Sequence, residues 1–452
     1  MATPPDKTLQ RTLKQRHMSM IALGGVIGAG LFVGSRVVIQ SAGPAAVISF
    51  LITGLLVVLV MRMLGEMAAS RAVSGSFYAF ACDALGDFPG FLTGWMYWYF
   101  WVIVVAVEAI AGADLIRFWL PAVPQWVLAG LLLAVLTLSN LVSARAYGEF
   151  EFWLASIKVV AIAAFLAVGT VFVSGLWPGT VAHVANLTGH GGFMPNGILP
   201  VLTGAVAATG FYFGAEIVTV AAAEAEEPAT AVAKATNSVI SRVLFFYICS
   251  ITLVVCIVPW NAKEIATPYV SALRAIGLPG AADIMNGVIL TAVLSALNSG
   301  LYVSSRMLFA LTRNGHAPAG LARLSSWGVP VRAILLGTVA GLGAVVMSYV
   351  SPDLVFPFLI NSYGTVALFV YLLIALSQLR LRARLERESP ETLTLRMWGY
   401  PWLTWVAIAG MVAILGAMAF IPDQQMPLLF GGISLAALSA FYGLRPRRRA
   451  TT

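Results

Sequence analysis

Charge is scarce in this chain. Asp, Glu, Lys and Arg make up 10% of its 452 residues, against 60% hydrophobic residues and a mean hydropathy of +0.89. Soluble domains carry about 25% charged residues. A surface this poor in charge would not stay dissolved, so lipid is the expected solvent for most of the chain. Cysteine is scarce too. Cys82, Cys249 and Cys256 are an odd, sparse set inside apolar stretches, which excludes a disulfide framework. The four histidines, His17, His183, His190 and His316, fall in loops or near helix ends, and no two stand at i, i+4. No metal site is expected from them. No cleavable leader is read before the first apolar stretch.

What the chain has in quantity is apolar sequence in long runs. A spanning helix needs about 20 mostly apolar residues. That rule gives twelve spans, near 18–40, 44–68, 89–119, 125–143, 152–174, 198–222, 238–258, 282–311, 331–349, 354–377, 401–420 and 426–443. The third and eighth are long and should tilt. The stretch 71–88 is only moderately apolar and reads as a surface or re-entrant helix. The expected organisation is a tail over 1–17, a ten-helix core over 18–378, a basic loop over 379–400, helices eleven and twelve over 401–443, and a tail over 444–452.

The net charge is +8. With the N-terminus inside, only Arg36, Arg117, Lys263 and Arg274 of the 27 basic residues fall on the outer side. The rest lie on the cytoplasmic side or in inner halves of helices, apart from Lys158 at membrane depth. This is the positive-inside pattern, with both termini cytoplasmic. It accounts for the excess of positive charge without nucleic acid. The Arg447 to Arg449 run suits anionic lipid.

Two spans carry signs of a break. Span one contains Gly24, Gly25, Gly28 and Gly30 within seven residues, and each glycine weakens a helix by about 1 kcal/mol relative to Ala. Span six contains Gly210-Phe211-Tyr212-Phe213-Gly214-Ala215-Glu216. Unpaired backbone is tolerated in a membrane only inside protein or around a polar cavity. Breaks five spans apart match transporters built from inverted repeats, whose substrate site lies between the discontinuous helices. The half-helix after Gly30 turns its N–H groups toward the break, where an anion is favoured. Carbonyls freed near Phe211 to Phe213 suit an ammonium group. Carboxylate at one break and amine at the other describe an amino acid. The plainer reading is that these glycines only allow close helix packing.

Ile27-Gly28-Ala29-Gly30-Leu31-Phe32-Val33-Gly34-Ser35, followed by Ala42-Gly43-Pro44, resembles the first-helix signature of amino-acid permeases of the amino acid–polyamine–organocation superfamily. So do Arg62 to Ala68, Tyr147 to Ala155 with Lys158, Gly214 to Glu216 with Ala221 to Glu224 and Pro228, and Leu297 to Tyr302 with Ser305 to Leu308. The likeness covers residues 13–443 and points to the superfamily's amino acid transporter family. Gly191 to Gly197, Glu216 to Thr219, Asn237 to Ile240, Leu395 to Trp398 and Tyr400 to Trp405 are most similar to its 4-aminobutyrate (GABA) permeases. The resemblance implies an all-α integral membrane fold of 12 transmembrane helices, a LeuT-type 5+5 inverted repeat with helices 1 and 6 broken. It implies a bacterial inner-membrane permease importing a small zwitterionic amino acid, 4-aminobutyrate first, as a monomer or weak oligomer. The proton is the expected coupling ion, with no cofactor. Permeases for proline, lysine or aromatic amino acids share the fold, as do exchangers.

One departure stands out. Where the family's sixth-helix break commonly reads Phe-Ser-Phe-x-Gly-x-Glu, this chain has Gly210 in place of the gate aromatic and Phe211 in place of the small residue.

Substrate contacts are expected from Ile27, Gly28, Ala29 and Gly30 on span one, from Gly210, Phe211, Phe213 and Glu216 on span six, and from Glu108 on span three. Four charges stand at membrane depth, Glu108, Asp114, Lys158 and Glu216, and such charges are costly. Asp114 reads as interfacial. Lys158 is either a lysine that snorkels to the inner interface or the coupling group. The resemblance places it where sodium-coupled relatives hold a cation between helices one and eight. Glu216 is open to three roles: orienting unwound backbone, receiving a proton, or meeting the substrate amine. One or two residues of the aromatic run Trp95 to Trp101 are expected to face the site, the rest to pack or to face lipid. An intramembrane enzyme would need a paired acid and base, and Ser156 and Lys158 at i, i+2 diverge.

Overall fold

The computed structural model describes residues 9–28, 30–71, 73–178 and 184–445. Ala29, His183 and Arg447 to Arg449 lie outside the described residues. The regular structure of the described residues is helical, with one isolated bridge between Leu13 and Ala225. Eight helical stretches are long and apolar enough to cross a membrane. One of them, Gln15–Ser70, turns back on itself and supplies two crossings, and three shorter apolar helices complete twelve.

Span one is Gln15–Val26 and Ser35–Ala42, joined across a break by a wide π-turn, Gly30–Gly34. Span two is Ala46–Ser70, three Asp87–Arg117, four Gln125–Val142 and five Ala144–Val173. Span six is Ile198–Tyr212 and Ile217–Ala221. Span seven is Pro228–Ile257, eight Ala281–Arg313, nine Val331–Val350, ten Pro352–Glu388, eleven Trp402–Met418 and twelve Pro422–Leu444.

Local chemistry sets several of these ends. Ser143 caps span five by accepting a hydrogen bond from Ala146 N at 3.0 Å. Spans seven, ten and twelve begin on Pro228, Pro352 and Pro422, whose fixed φ suits a first helical turn and whose missing N–H is not needed there. Helices outrun the apolar sequence that reveals them. Span ten continues to Glu388, into the stretch read as a loop from residue 379. Arg382 pairs with Glu386 one turn on at 2.8 Å, which keeps that polar extension helical. Arg382 also meets the buried Glu66 of span two, which Gln378 reaches at 2.7 Å, so spans two and ten are joined near that end.

The packing repeats with an offset of five. Span three packs on span eight, two on seven and four on nine, pairs that map onto themselves under the offset. Span one packs on five as six packs on ten, three on ten as eight on five, and three on nine as eight on four. A nine-residue helix follows the second span of each set, Phe77–Leu85 and Pro268–Ile276, and each lies against the long third span of its set. This is the 5+5 inverted repeat, with spans eleven and twelve outside it. The break therefore occurs in the first span of each set.

Candidate functional site

The two breaks touch. In span six the chain turns from extended backbone at Phe213 to Gly214, whose φ of +122° is closed to ordinary L residues. A Cβ on Gly214 would run into the carbonyl of Gly25, and one on Gly25 would stand 2.7 Å from the Gly214 carbonyl oxygen. Only glycine at both positions lets the unwound segments cross this closely.

A small cavity opens beside the crossing. Gly28, Gly30, Gly210, Phe211, Phe213 and Glu108 all line it. Phe100 and Trp101 line it too, two members of the aromatic run on span three. Glu108 reaches the span-one break, since a Cβ on Gly28 would lie 3.5 Å from Glu108 Oε1. Phe211 lies over the span-one glycines: a Cβ on Gly30 would approach its Cδ1 to 2.7 Å, and one on Gly34 its Cζ to 2.8 Å.

Other expected site residues sit off the cavity wall. Glu216 is buried and faces its own break. It accepts from Gly214 N at 2.9 Å, from Tyr97 OH at 3.1 Å and from Tyr371 OH at 3.3 Å. Of the three roles considered for it, this geometry is that of a carboxylate holding unwound backbone. Ile27 is buried, and its carbonyl points to span five. The Phe211 carbonyl is occupied: the Tyr247 hydroxyl stands 2.8 Å from it and 3.0 Å from the Val26 carbonyl, so one hydroxyl straddles both breaks. Asp114 is exposed and receives a hydrogen bond from Gln125 at 2.8 Å, as suits an interfacial acid.

Lys158 does not snorkel. It is fully buried, and its ammonium donates to Gly24 O at 2.7 Å, Ile27 O at 2.8 Å and Ser295 Oγ at 2.8 Å. It therefore ties the first break to span eight. Ser295 in turn donates to Glu151, another buried acid of span five. Toward the face that carries both Gln15 and Leu444, Arg306 of span eight is buried against Glu224 at 2.7 Å, and Tyr302 donates to the same carboxylate at 2.9 Å.

Sequence reasoning did not single out Glu151, Ser295 for Glu151, Tyr247, or the Glu224–Arg306 pair as site residues. Glu151 alone left a usable signal: it precedes Lys158 by seven residues, two helical turns, so both lie on one stripe.

A family model described as amino acid permease matches residues 17–442. The chain belongs to the amino acid permease family. It is 50% identical over 445 residues to a gamma-aminobutyric acid permease of Bacillus subtilis (strain 168), covering 98% of this chain and 95% of that one. It is 47% identical over 424 residues to a gamma-aminobutyric acid permease of Escherichia coli (strain K12), covering 93% and 91%. Among solved structures, a manganese transporter of Eremococcus coleocola superposes with a TM-score of 0.57 at 13% identity, over 98% of this chain and 97% of that one. That likeness concerns the fold alone. The protein is a multi-pass membrane permease of amino acids.

Proposed function

We propose that this permease imports 4-aminobutyrate across the bacterial inner membrane by proton symport, with both termini in the cytoplasm. The observation that carries the reading is the cavity where the two broken helices cross, lined by the span-one glycines and by an acid. The names of the relatives at 47% and 50% identity direct the choice of amino acid.

The substrate carboxylate binds at Gly28 to Gly30. There the resumed half of span one presents backbone N–H groups and the positive end of its dipole, and glycine lets a ligand approach the chain. The ammonium group of 4-aminobutyrate lies further from its carboxylate than in an α-amino acid, so it reaches past Gly30 toward span six and span three. Phe211 covers that direction. Glu108 stands beside Gly28 on the same wall, and two carboxylates this close repel unless one carries a proton. Substrate entry and proton entry then favour one another.

Lys158 supplies the second part of coupling. Charged, it holds the carbonyls of Gly24 and Ile27 to Ser295 across the seam between span one and span eight. Neutral, it keeps fewer donors and no charge, and the seam loosens. Its proton state thus biases which side of the crossing opens. Inward proton movement adds about 2.3 kcal/mol per charge per 100 mV to uptake.

The test is uptake of labelled 4-aminobutyrate by purified protein in liposomes, driven by an imposed pH gradient. A panel of unlabelled amino acids is run in competition, with and without internal substrate. Accumulation against the gradient is expected only with the acid side outside, with 4-aminobutyrate the strongest competitor. Uptake that requires internal amino acid and ignores the pH gradient would make the protein an exchanger.

A further inference from the structure

We infer that Glu151 is a second proton-carrying side chain of the coupling machinery, linked to Lys158 through the Ser295 hydroxyl; this rests on the reading of Lys158 as the coupling amine.

The geometry is a three-member relay at the seam of spans one, five and eight. Glu151, Lys158 and Ser295 are all fully buried. Ser295 Oγ accepts from Lys158 Nζ at 2.8 Å while its own hydroxyl donates to Glu151 Oε1. The carboxylate presses on the span-one break, since a Cβ on Gly24 would collide with Oε1. The other carboxylate oxygen, Oε2, is buried too, and Asn298 and Ser299 of span eight are the further polar side chains that face the carboxylate. A charged oxygen so placed is costly, and a protonated one is far less so.

Lys158 gives one N–H proton to Ser295 Oγ as Ser295 gives its hydroxyl proton to the Glu151 carboxylate. One N–H and one O–H bond break and two O–H bonds form. The products are a neutral amine, a neutral acid and an unchanged serine. Two buried charges vanish together, and the clasp on the Gly24 and Ile27 carbonyls weakens in the same step.

Glu151 lies two turns nearer the terminal face than Lys158, so it stands on the way out. Polar side chains continue in that direction. Tyr147, one turn before Glu151, places its hydroxyl 3.1 Å from Ser299, and its ring stacks on Tyr302 at 3.9 Å. Tyr302 reaches the Glu224–Arg306 pair. Around the relay, span three contributes Glu108, span eight contributes Asn298, Ser299 and, further along, Arg306, and span five itself contributes Tyr147. Span one contributes carbonyls only at this level, with His17 at its base beside Glu149.

The experiment compares wild type, Glu151→Gln, Glu151→Asp, Ser295→Ala and Lys158→Gln in liposomes, with labelled 4-aminobutyrate as the probe. Two readouts are taken: accumulation driven by a pH gradient, and exchange against internal 4-aminobutyrate across a range of matched pH values. Glu151→Gln should lose accumulation, and its exchange should lose its pH dependence. Glu151→Asp, which keeps a titrating group, should restore accumulation with a displaced pH profile, and Ser295→Ala should slow accumulation more than exchange. If Glu151→Gln accumulates like wild type with the same pH profile while Lys158→Gln does not, Glu151 carries no proton and the inference falls alone. If Glu151→Gln and Glu151→Asp lose exchange and accumulation equally, Glu151 is structural and the inference falls. If Lys158→Gln keeps normal pH-driven accumulation, the coupling reading falls and takes this inference with it.

Discussion

The ring of Phe211 lies against the α-carbon of Gly30, so closely that a methyl group there would stand 2.7 Å from Phe211 Cδ1. The residue that departs from the family's usual break therefore sits directly on the glycine expected to receive the substrate carboxylate. Gly30→Val should abolish uptake while the protein still reaches the membrane, because the branched side chain both meets Phe211 and fills the approach to the backbone. Overpacking of this kind costs about 1–3 kcal/mol in a packed core. Saturation binding of labelled 4-aminobutyrate to the purified variant checks it, and near-normal affinity would reject the anion subsite.

Phe211→Ser restores the small residue and removes the ring from above Gly30 and Gly34. The cavity should then accept bulkier amino acids, and the order of competitors against 4-aminobutyrate should change. Phe211 also stacks on Phe50 at 6.3 Å, so some loss of stability is expected in the same variant. An unchanged competition order would make Phe211 a packing residue.

A pH effect separate from transport is expected on the terminal face. His316 is buried beyond the end of span eight, bonded to Asp87 at 2.7 Å and to Tyr78 at 2.8 Å, while Asp87 also holds Tyr442 and Arg445 of the C-terminal helix region. Burial lowers the His316 pKa from 6.5; the Asp87 hydrogen bond and charge pull it back up by less, and Arg445 adds to the lowering. The folded state thus disfavours the proton. The contribution is present above the unfolded value of 6.5 and is lost as pH falls through it toward the lowered value. The melting temperature in detergent should drop on acidification from about pH 7.5 to about 5.5. His316→Gln, which keeps a polar terminus without the titration, should show a smaller drop. An equal drop in both would place the effect elsewhere.

The membrane spans were legible because about 20 apolar residues mark a crossing whatever the helix packs against. Their ends were less so. Span five begins at Ala144 rather than 152, span seven at Pro228 rather than 238, and span ten runs to Glu388, since caps and charge pairs carry helices beyond the apolar core. The breaks were legible because glycine clusters are costly in a helix and four of them stood in seven residues. The partners at those breaks were not. Tyr247, Tyr97 and Tyr371 come from three other spans and meet the unwound segments only through tertiary packing. The position of Glu216 after the break left three roles open, and the partners that its carboxylate meets, Gly214 N, Tyr97 and Tyr371, are set by tertiary packing.

Lys158→Gln is the sharpest test of coupling. The native ammonium carries three donors and spends them on Gly24 O, Ile27 O and Ser295 Oγ. Glutamine keeps a polar tip of similar length, but it has two donors and no proton to release. Some of the tie between span one and span eight should therefore survive, and with it the shape of the cavity, whose walls Lys158 does not form. What cannot survive is a change of charge at the seam. In liposomes the variant should still bind 4-aminobutyrate, yet a pH gradient should no longer drive accumulation, and uptake should stop at equilibrium with the outside concentration. The rate of that residual uptake should be flat across the pH range in which wild type varies. A variant that concentrates 4-aminobutyrate as well as wild type, with the same pH dependence, would move coupling to Glu108, the acid that does line the cavity. Glu108→Gln would then be expected to give the flat pH profile in its place.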